Sequence, residues 1–552
     1  MLREIVSTLQ DQRLFQEILG AIKNGIQLSA LGLHRSARLP ILAALHCELN
    51  VPILLVADRS DYALTLADEL SLWCPDSPRF FFPEPNPLFY EQAAWGITTR
   101  RDRLLALTAL AAQHIPGAQP QIKNQRAPVI ISPARALMTR TLPRRDFIKA
   151  SRSLKTEQIA QPDQLTRNWV ALGYEPVNAV ISAGQFARRG GILDVWPPAS
   201  SLPTRIEFFG DEIDTLRNFD PSTQRTKKTV ERLLITPAKE YIATPEGLAS
   251  IADPEETISE FHIPLLHKNP ASLLDYLPRN ALVLIENGEN VFGTIMELEE
   301  QAVALRKDYV EDGTLPEDFP SPYLSIDQVQ DSLPVARTLE LGPASIENRS
   351  ELALRFTSNR RFGGQLRQVM EHLSNQAIQG EQIVFVSRQI SRLEELWKEQ
   401  YHPLTPVQHA PQFIKGSLGD GWILDTDDGS HLHLLTDGEI FGWRRPQPRQ
   451  RHRPVAEAPE SAYADLEPGN WVVHVDHGVG QFVGMVQRTI ERAEREYLCL
   501  EYAEGDQLFV PVHQADRLTR YVGPDGREPK PTRLGSLQWS NAKSKVQAAV
   551  QE

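Results

Sequence analysis

The chain has 552 residues, 41% hydrophobic and 23% charged, with a net charge of −13. That length exceeds what one hydrophobic core serves, so several domains are expected, and the composition excludes a disordered chain. The acidic balance excludes a surface that grips nucleic acid all round, but leaves room for local basic patches and protein partners. Cys47, Cys74 and Cys499 stand far apart without C-x-x-C spacing, which excludes a disulfide framework and favours a reducing compartment. The first residues carry charges every few positions and no apolar run approaches a membrane span. The expectation is a cytoplasmic protein without a signal peptide.

In chain order, residues 1–25 read as a helix, with Leu2, Ile5, Leu9, Leu14, Ile18 and Ile22 at roughly helical spacing. Up to residue 141, apolar runs (IQLSALGL, VPILLVA, RFFFPEP, APVIISPA) alternate with helical segments at 38–49, 62–72 and 101–112. Such alternation implies a parallel α/β sheet. Residues 142–235 change to short β-type runs between Pro and Gly turns, an α+β insert. The α/β pattern returns at 236–330 with "NALVLIEN" and a helical run over 291–309, and a second, smaller α/β domain is expected at 335–443. Residues 444–464, dense in Pro and charge, read as a linker whose Arg444, Arg445, Arg449, Arg451 and Arg453 form a solvated tether or, as the alternative, touch phosphates. Short β runs over 465–525 have the pattern of a small barrel, and 526–552 opens a helix with no stop signal before the last residue.

The stretch Gly32-Leu-His-Arg-Ser-Ala37-Arg38-Leu39 stands where a G-x-x-x-x-G-K-[ST] phosphate loop belongs, between a strand-like run and a helix. Ala37 replaces the second glycine, whose absent side chain lets backbone N–H groups curl round the phosphates. Arg38 replaces the lysine, and Leu39, in the hydroxyl's place, cannot coordinate Mg²⁺. The acidic pair that should follow a later strand is Glu286 and Asn287. Loss in both halves reads as a degenerate nucleotide site, and no GK dipeptide offers another.

"FFGDEID" reads as a hairpin surface rather than a metal-binding strand end. "HVDHG" puts only three donors in five residues with none following at ligand spacing, so it reads as a polar turn and no metal is expected. In "QFARRGGILDVWPPASSLPTRIEFFGDEID", Arg188, Arg189 and Arg205 accompany Phe186, Trp196, Phe208 and Phe209. Arginine among aromatics is the composition of a protein-interface hot spot and also of a nucleic-acid platform. Ordinary strand burial explains the aromatics as well.

"FARRGGILDVWPPASSLPTRIEFFGDEIDTLRNFDPSTQRT" resembles the module shared by the excision-repair protein UvrB and the bacterial transcription-repair coupling factors (Mfd). "LLTDGEIFGWRR" and "LEPGNWVVHVDHGVGQFVGM…EYLCLEYAEGDQLFVPVHQADRLTRYVG" resemble the coupling factors specifically, the second being similar to their CarD-like RNA-polymerase-interacting domain. The resemblance runs along nearly the whole chain and implies its N-terminal-half architecture. That is a RecA-like α/β domain (1–141 and 236–330) with a degenerate phosphate loop, interrupted by a UvrA-binding insert (142–235). A small α/β connecting domain and a CarD/Tudor-like β-barrel follow.

It further implies transcription-coupled nucleotide excision repair, coupling stalled RNA polymerase to recruitment of UvrA. Arg188, Arg189, Arg205, Phe208 and Phe209 would meet UvrA. Trp471, His474, His477, Gly478, Gly480, Tyr502, Phe509 and Pro511 would meet the polymerase β subunit. ATP, Mg²⁺ and most DNA contacts belong to translocase motor domains that this sequence does not contain. No cofactor and no catalysis are therefore expected of it. The alternatives are a nucleotide-dependent DNA-remodelling subunit with residual ATPase and a CarD-like regulator acting through the barrel alone. The "EPNPLFYEQAAWGITTRR" stretch is too short for a UvrB-type DNA-clamping hairpin.

Overall fold

The computed structural model describes residues 2–115, 126–243, 245–249, 251, 258–334, 337–342, 349–400, 410–442, 468–474, 478–490, 493–511 and 518–520. The expected linker at 444–464 and final helix at 526–552 lie outside them. The chain is a multidomain α/β protein whose strands fall into five sheets among the described residues. Two compact units are distinguished, one built of 1–174, 197–199 and 232–451, the other of 175–196, 200–231 and 452–552.

The first unit is organised by a parallel sheet of five strands in the order Thr338–Glu340, Leu282–Ile285, Ile53–Ala57, Val129–Pro133, Arg79–Phe81. Its central strands are apolar apart from Ser132 and buried on both faces, as parallel strands covered by helices must be. The pleat sends alternate residues to two different cores. Ile53, Leu55, Ile131 and Leu284 join one, and Leu54, Val56, Ile130 and Val283 join the other.

The first core continues into a second, mixed sheet ordered Phe356–Thr357, Trp422–Asp425, His431–Thr436, Gln382–Ser387, Gln412–Lys415. The two α/β sheets thus share one apolar cluster, to which the N-terminal helices contribute.

The expected single helix over 1–25 is two helices, Arg3–Gln10 and Arg13–Lys23. The physical reason is in the spacing: Leu9 to Leu14 is a step of five, which no continuous helical face accommodates, so the chain turns at Asp11 and Gln12 and resumes with a new buried face. The run IQLSALGL has no regular secondary structure and forms no strand of the sheet. Leu31 and Leu33 donate backbone hydrogen bonds to Glu340 and Leu341 at the sheet edge, 2.9 and 2.8 Å, without regular pairing. The segments expected to be helical at 38–49, 62–72 and 101–112 are the helices Arg35–Leu49, Ser60–Trp73 and Ile97–Ala111.

Antiparallel strands Arg152–Lys155 and Arg232–Ile235 pair with each other, bracketing the excursion into the second unit. There, a six-stranded sheet runs Thr226–Thr229, Glu212–Phe219, Thr204–Phe209, Ile192–Val195, Gln185–Arg189, Glu175–Pro176. "FFGDEID" is the hairpin joining Thr204–Phe209 to Glu212–Phe219. The same unit contains an antiparallel sheet ordered Gln507–Pro511, Ala493–Glu501, Gly478–Ile490, Trp471–His474, Leu518–Arg520. Its core is Val472, Phe482, Leu498, Leu500, Tyr502, Val510 and Leu518.

Candidate functional site

Open parallel sheets hold ligands beyond the carboxyl ends of their strands, and the stretch from Gly32 to Leu39 lies there, beside Glu286 and Leu341. The space is filled by side chains of the protein itself. Ala37 and Leu39 are buried in the helix Arg35–Leu49, and Arg38 turns inward from it. The Arg38 guanidinium pairs with the Glu286 carboxylate at the end of Leu282–Ile285 and donates from Nε to the Leu33 carbonyl, 3.0 Å. Both side chains are more than nine-tenths buried. The Tyr62 hydroxyl donates to the same carboxylate, and the Arg35 guanidinium stacks 3.6 Å over the Tyr62 ring. Burial first, then the Glu286 charge, pushes the Tyr62 phenol well above its ordinary pKa, so it stays a donor.

The surroundings close tightly on this triad. A β-carbon on Gly342 would stand 2.6 Å from the Glu286 carbonyl oxygen and 2.9 Å from Arg38 Nη2. Gly32 has a φ of +69°, and a β-carbon there would meet the Arg349 Cα at 2.9 Å. The Trp422 indole, itself fully buried, donates to the Ser36 carbonyl at 3.2 Å, and His34 lies edge-on to Phe356. Asn287 caps the helix Gly288–Glu311, accepting from Asn290 N at 3.1 Å. Where a phosphate loop needs backbone N–H groups facing a cavity, this one faces a buried ion pair.

Five of the six residues expected at the degenerate site are thus drawn into one place: Gly32, Ala37, Arg38, Leu39 and Glu286. Asn287 serves the next helix. Sequence reading missed Tyr62, Arg349, Gly342 and Trp422. Only Tyr62, two residues into the helix after a buried strand, carried a positional signal.

On the six-stranded sheet, strand alternation divides the expected interface residues. Arg189 and Arg205 fall on one face with Asp194 and Glu207, and Arg188 on the other with Leu193 and Ile206. Arg205 grips Asp194 bidentately, 2.7 and 2.8 Å, and lies 4.8 Å over the Phe219 ring. That hydrogen-bonded pairing raises the Arg205 pKa. The turns at 190–191 and 210–211 join neighbouring hairpins and lie at the same end of the sheet. That end carries Arg188 and Arg189, both exposed, beside Phe209, which is 83% exposed. Arg189 Nη2 donates to the Asn178 carbonyl, 2.6 Å. A bulge between Glu207 and Phe208 shifts the register just before this tip, and Phe208 is half-buried.

On the C-terminal sheet, Trp471 and Phe509 are half-buried, while Gly478, Gly480 and Tyr502 are buried. His474 and Pro511 end strands, and His477 lies outside the described residues. Tyr502 is a core residue whose hydroxyl has no hydrogen-bond partner among the described residues, and burial raises its pKa. Among the described residues no group of three or more His, Cys, Asp or Glu is placed to hold a metal ion, and no helix is long and apolar enough to cross a membrane.

Residues 153–241 match the UvrB interaction domain family, and residues 466–522 match the CarD-like/TRCF RID domain family. Among curated relatives, a transcription-repair-coupling factor of Bacillus subtilis is 28% identical over 98% of this chain and 49% of its own length. One of Staphylococcus aureus is 24% identical over 94% of this chain and 47% of its own. The chain therefore spans about half the length of the curated relatives it matches, and is similar to that half of a transcription-repair-coupling factor. The first match contains the sheet bearing Arg188, Arg189, Arg205, Phe208 and Phe209. The second contains every residue named on the C-terminal sheet.

Proposed function

We propose that this chain acts in transcription-coupled nucleotide excision repair as an adaptor that binds RNA polymerase and UvrA and turns over no nucleotide. The observation that carries this reading is the presence of both matched domains in one chain of coupling-factor-like sequence. In this reading the parallel sheet is a RecA-like domain that kept its frame and replaced its nucleotide with the Arg38–Glu286–Tyr62 cluster. No ATP or Mg²⁺ is bound here. The hairpin end with Arg188, Arg189 and Phe209 meets UvrA, Arg205 holding the strands behind it.

The C-terminal sheet is a CarD/Tudor-like barrel that meets the polymerase β subunit. Main-chain pairing along an outer strand supplies affinity in such contacts and side-chain pockets supply choice. Trp471 and Phe509, half-buried on that sheet, are the apolar contacts we assign to it. DNA is engaged mainly by parts of the relatives that this chain does not span, and the compartment is the cytoplasm.

The test is co-precipitation of UvrA and of the polymerase β subunit with this chain, alongside an ATPase assay. Binding of both without turnover is expected. Turnover abolished by changing Arg38 would overturn the adaptor reading, and failure to bind either protein would overturn the family carry-over.

A further inference from the structure

Among the described residues the longest helix is Gly288–Glu311, in the first unit and outside both matched domains. It seats Val291, Ile295 and Ala302 in the core. A second apolar row runs beside that face. At 100° per residue, Phe292, Met296, Val303 and Val310 fall within about 40° of one another and span about 27 Å of helix. Phe292 and Val310 are half-buried against the core, but between them Met296 is 51% and Val303 59% exposed. A single exposed apolar side chain is ordinary; an ordered row of them marks a contact surface.

The spacing of the row is that of a seam between helices. Met296, Val303 and Val310 repeat every seven residues and Phe292 stands four before Met296, the a and d positions of a coiled coil. The later d positions are taken by groups that tie down the chain. Glu299 accepts from Ile326 N at 2.9 Å, and Arg306 donates to the Glu317 and Phe319 carbonyls. Buried Ile295 and Ala302, at g, close the core side of the seam, while Gly293, Glu300 and Lys307, at e, border its solvent side. Glycine weakens a helix interior, yet a β-carbon on Gly293 would meet nothing within 4 Å, so the fold does not demand it. Bare backbone at the border lets a neighbour approach closely.

Charge decides which neighbour. The helix carries six acidic residues and two basic ones. Arg306 is engaged with the two carbonyls and Lys307 with Glu311 at 3.7 Å. Neither Glu299 nor Glu300 has a cationic partner among the described residues. From this arrangement we infer that the row of Met296 and Val303 is a docking seam for a cationic amphipathic helix of a partner protein. Apolar side chains of that helix cover Met296 and Val303, and its Lys or Arg residues meet Glu299 and Glu300. A second copy of this chain fits poorly, because pairing the row with itself sets one acidic border against another. The same acids repel nucleic acid and anionic lipid.

The experiment titrates the full chain into a fluorescent synthetic peptide of about five helical turns, with Leu at a and d and Lys at e and g. Anisotropy is followed at about 0.15 M salt, where bare long-range attraction is screened. A scrambled peptide of the same composition and a twin with Glu for Lys are the parallel arms, and binding of the first peptide alone is expected. Met296→Ser and Val303→Ser should each weaken it at least about fivefold and Glu300→Lys about tenfold, while Met296→Leu retains it. Side chains this exposed should leave the thermal midpoint unchanged. Gly293→Gln should raise the midpoint and still weaken the peptide. No binding, equal binding of the scrambled peptide, or full binding by folded Met296→Ser would overturn the assignment. So would self-association of the chain that Met296→Ser abolishes, which would make the occupant a second copy.

Discussion

At the carboxyl ends of the parallel strands Arg38 is buried, paired with Glu286 through Nη1 and hydrogen-bonded to the Leu33 carbonyl through Nε. At the turn end of the six-stranded sheet Arg188 and Arg189 are exposed beside an 83% exposed phenylalanine. Both places pair arginine with acidic and aromatic neighbours, so composition alone does not separate them. Burial does. A buried cation must be matched from within, so the first place has spent its chemistry on the fold. An exposed Phe209 on a hairpin tip joins no core cluster among the described residues, which is the condition the proposed contact with a partner requires.

The heaviest blow to this contrast is Glu286→Leu. It leaves Arg38 buried beside a carboxyl-free strand end and should cost about 3–5 kcal/mol of stability, as removal of one partner of a buried pair does. The double change Arg38→Met, Glu286→Leu should recover most of that loss in urea unfolding. If the single change is silent, the pair is not buried as described and the site is open.

A second buried polar group tests the same rule with a weaker partner. His433 is 6% exposed, its Nε2 lacks a hydrogen bond among the described residues, and Glu381 Oε2 is 3.8 Å away. Burial, aided by His431 and His372 and opposed by Glu381, lowers its pKa to about 4. The unfolded chain takes up this proton near pH 6.5 and the folded one only near 4, so the stability it confers is complete above 6.5 and lost as pH falls between the two. Unfolding at about pH 7.5 and at about pH 5 should differ by about 2 kcal/mol from this residue. His433→Leu should flatten the profile by that amount.

The sequence was most legible where periodicity and burial coincide. The central strands at 53–57, 129–133 and 282–285 are apolar runs with nothing else to be, and the helices between them follow. The departure of Ala37, Arg38 and Leu39 from a phosphate-loop motif was legible in the sequence, because each removes a specific contact a phosphate needs. The contacts Arg38 makes in the structure were not. Tyr62 and Glu286 are 224 residues apart and Trp422 and Ser36 386 apart, and no local pattern encodes such contacts. The division of Arg188 from Arg189 across two sheet faces was legible in principle, since neighbours on a strand point oppositely. A cluster of arginines in the sequence hides that.

Arg205 belongs to both sides of the comparison. Its side chain is 21% exposed and that of Asp194 3%, so it is partly a surface group and partly the counter-charge of a buried acid. Arg205→Ala should cost about 1.5–3 kcal/mol by stranding Asp194, less than Glu286→Leu because solvent reaches the pair. Arg205→Ala, Asp194→Ala should regain part of it. If UvrA capture falls only in the single variant and returns in the double one, Arg205 acts by holding the strands together. Loss in both would make its guanidinium a direct contact.

The smallest effect on the fold should come from Phe209→Ala. The ring is outside every core cluster among the described residues, so unfolding free energy should move by less than about 0.5 kcal/mol. Capture of UvrA should nonetheless weaken by tenfold or more, the cost of about 1.4 kcal/mol or above that marks an interface anchor. Phe209→Leu should retain part of the affinity if the ring fills an apolar pocket, while Phe209→Ser should behave like the alanine. Equal affinity in all three would mean that the tip is bare for a reason other than binding. The contrast between a filled site and an available one would then rest on the arginines alone.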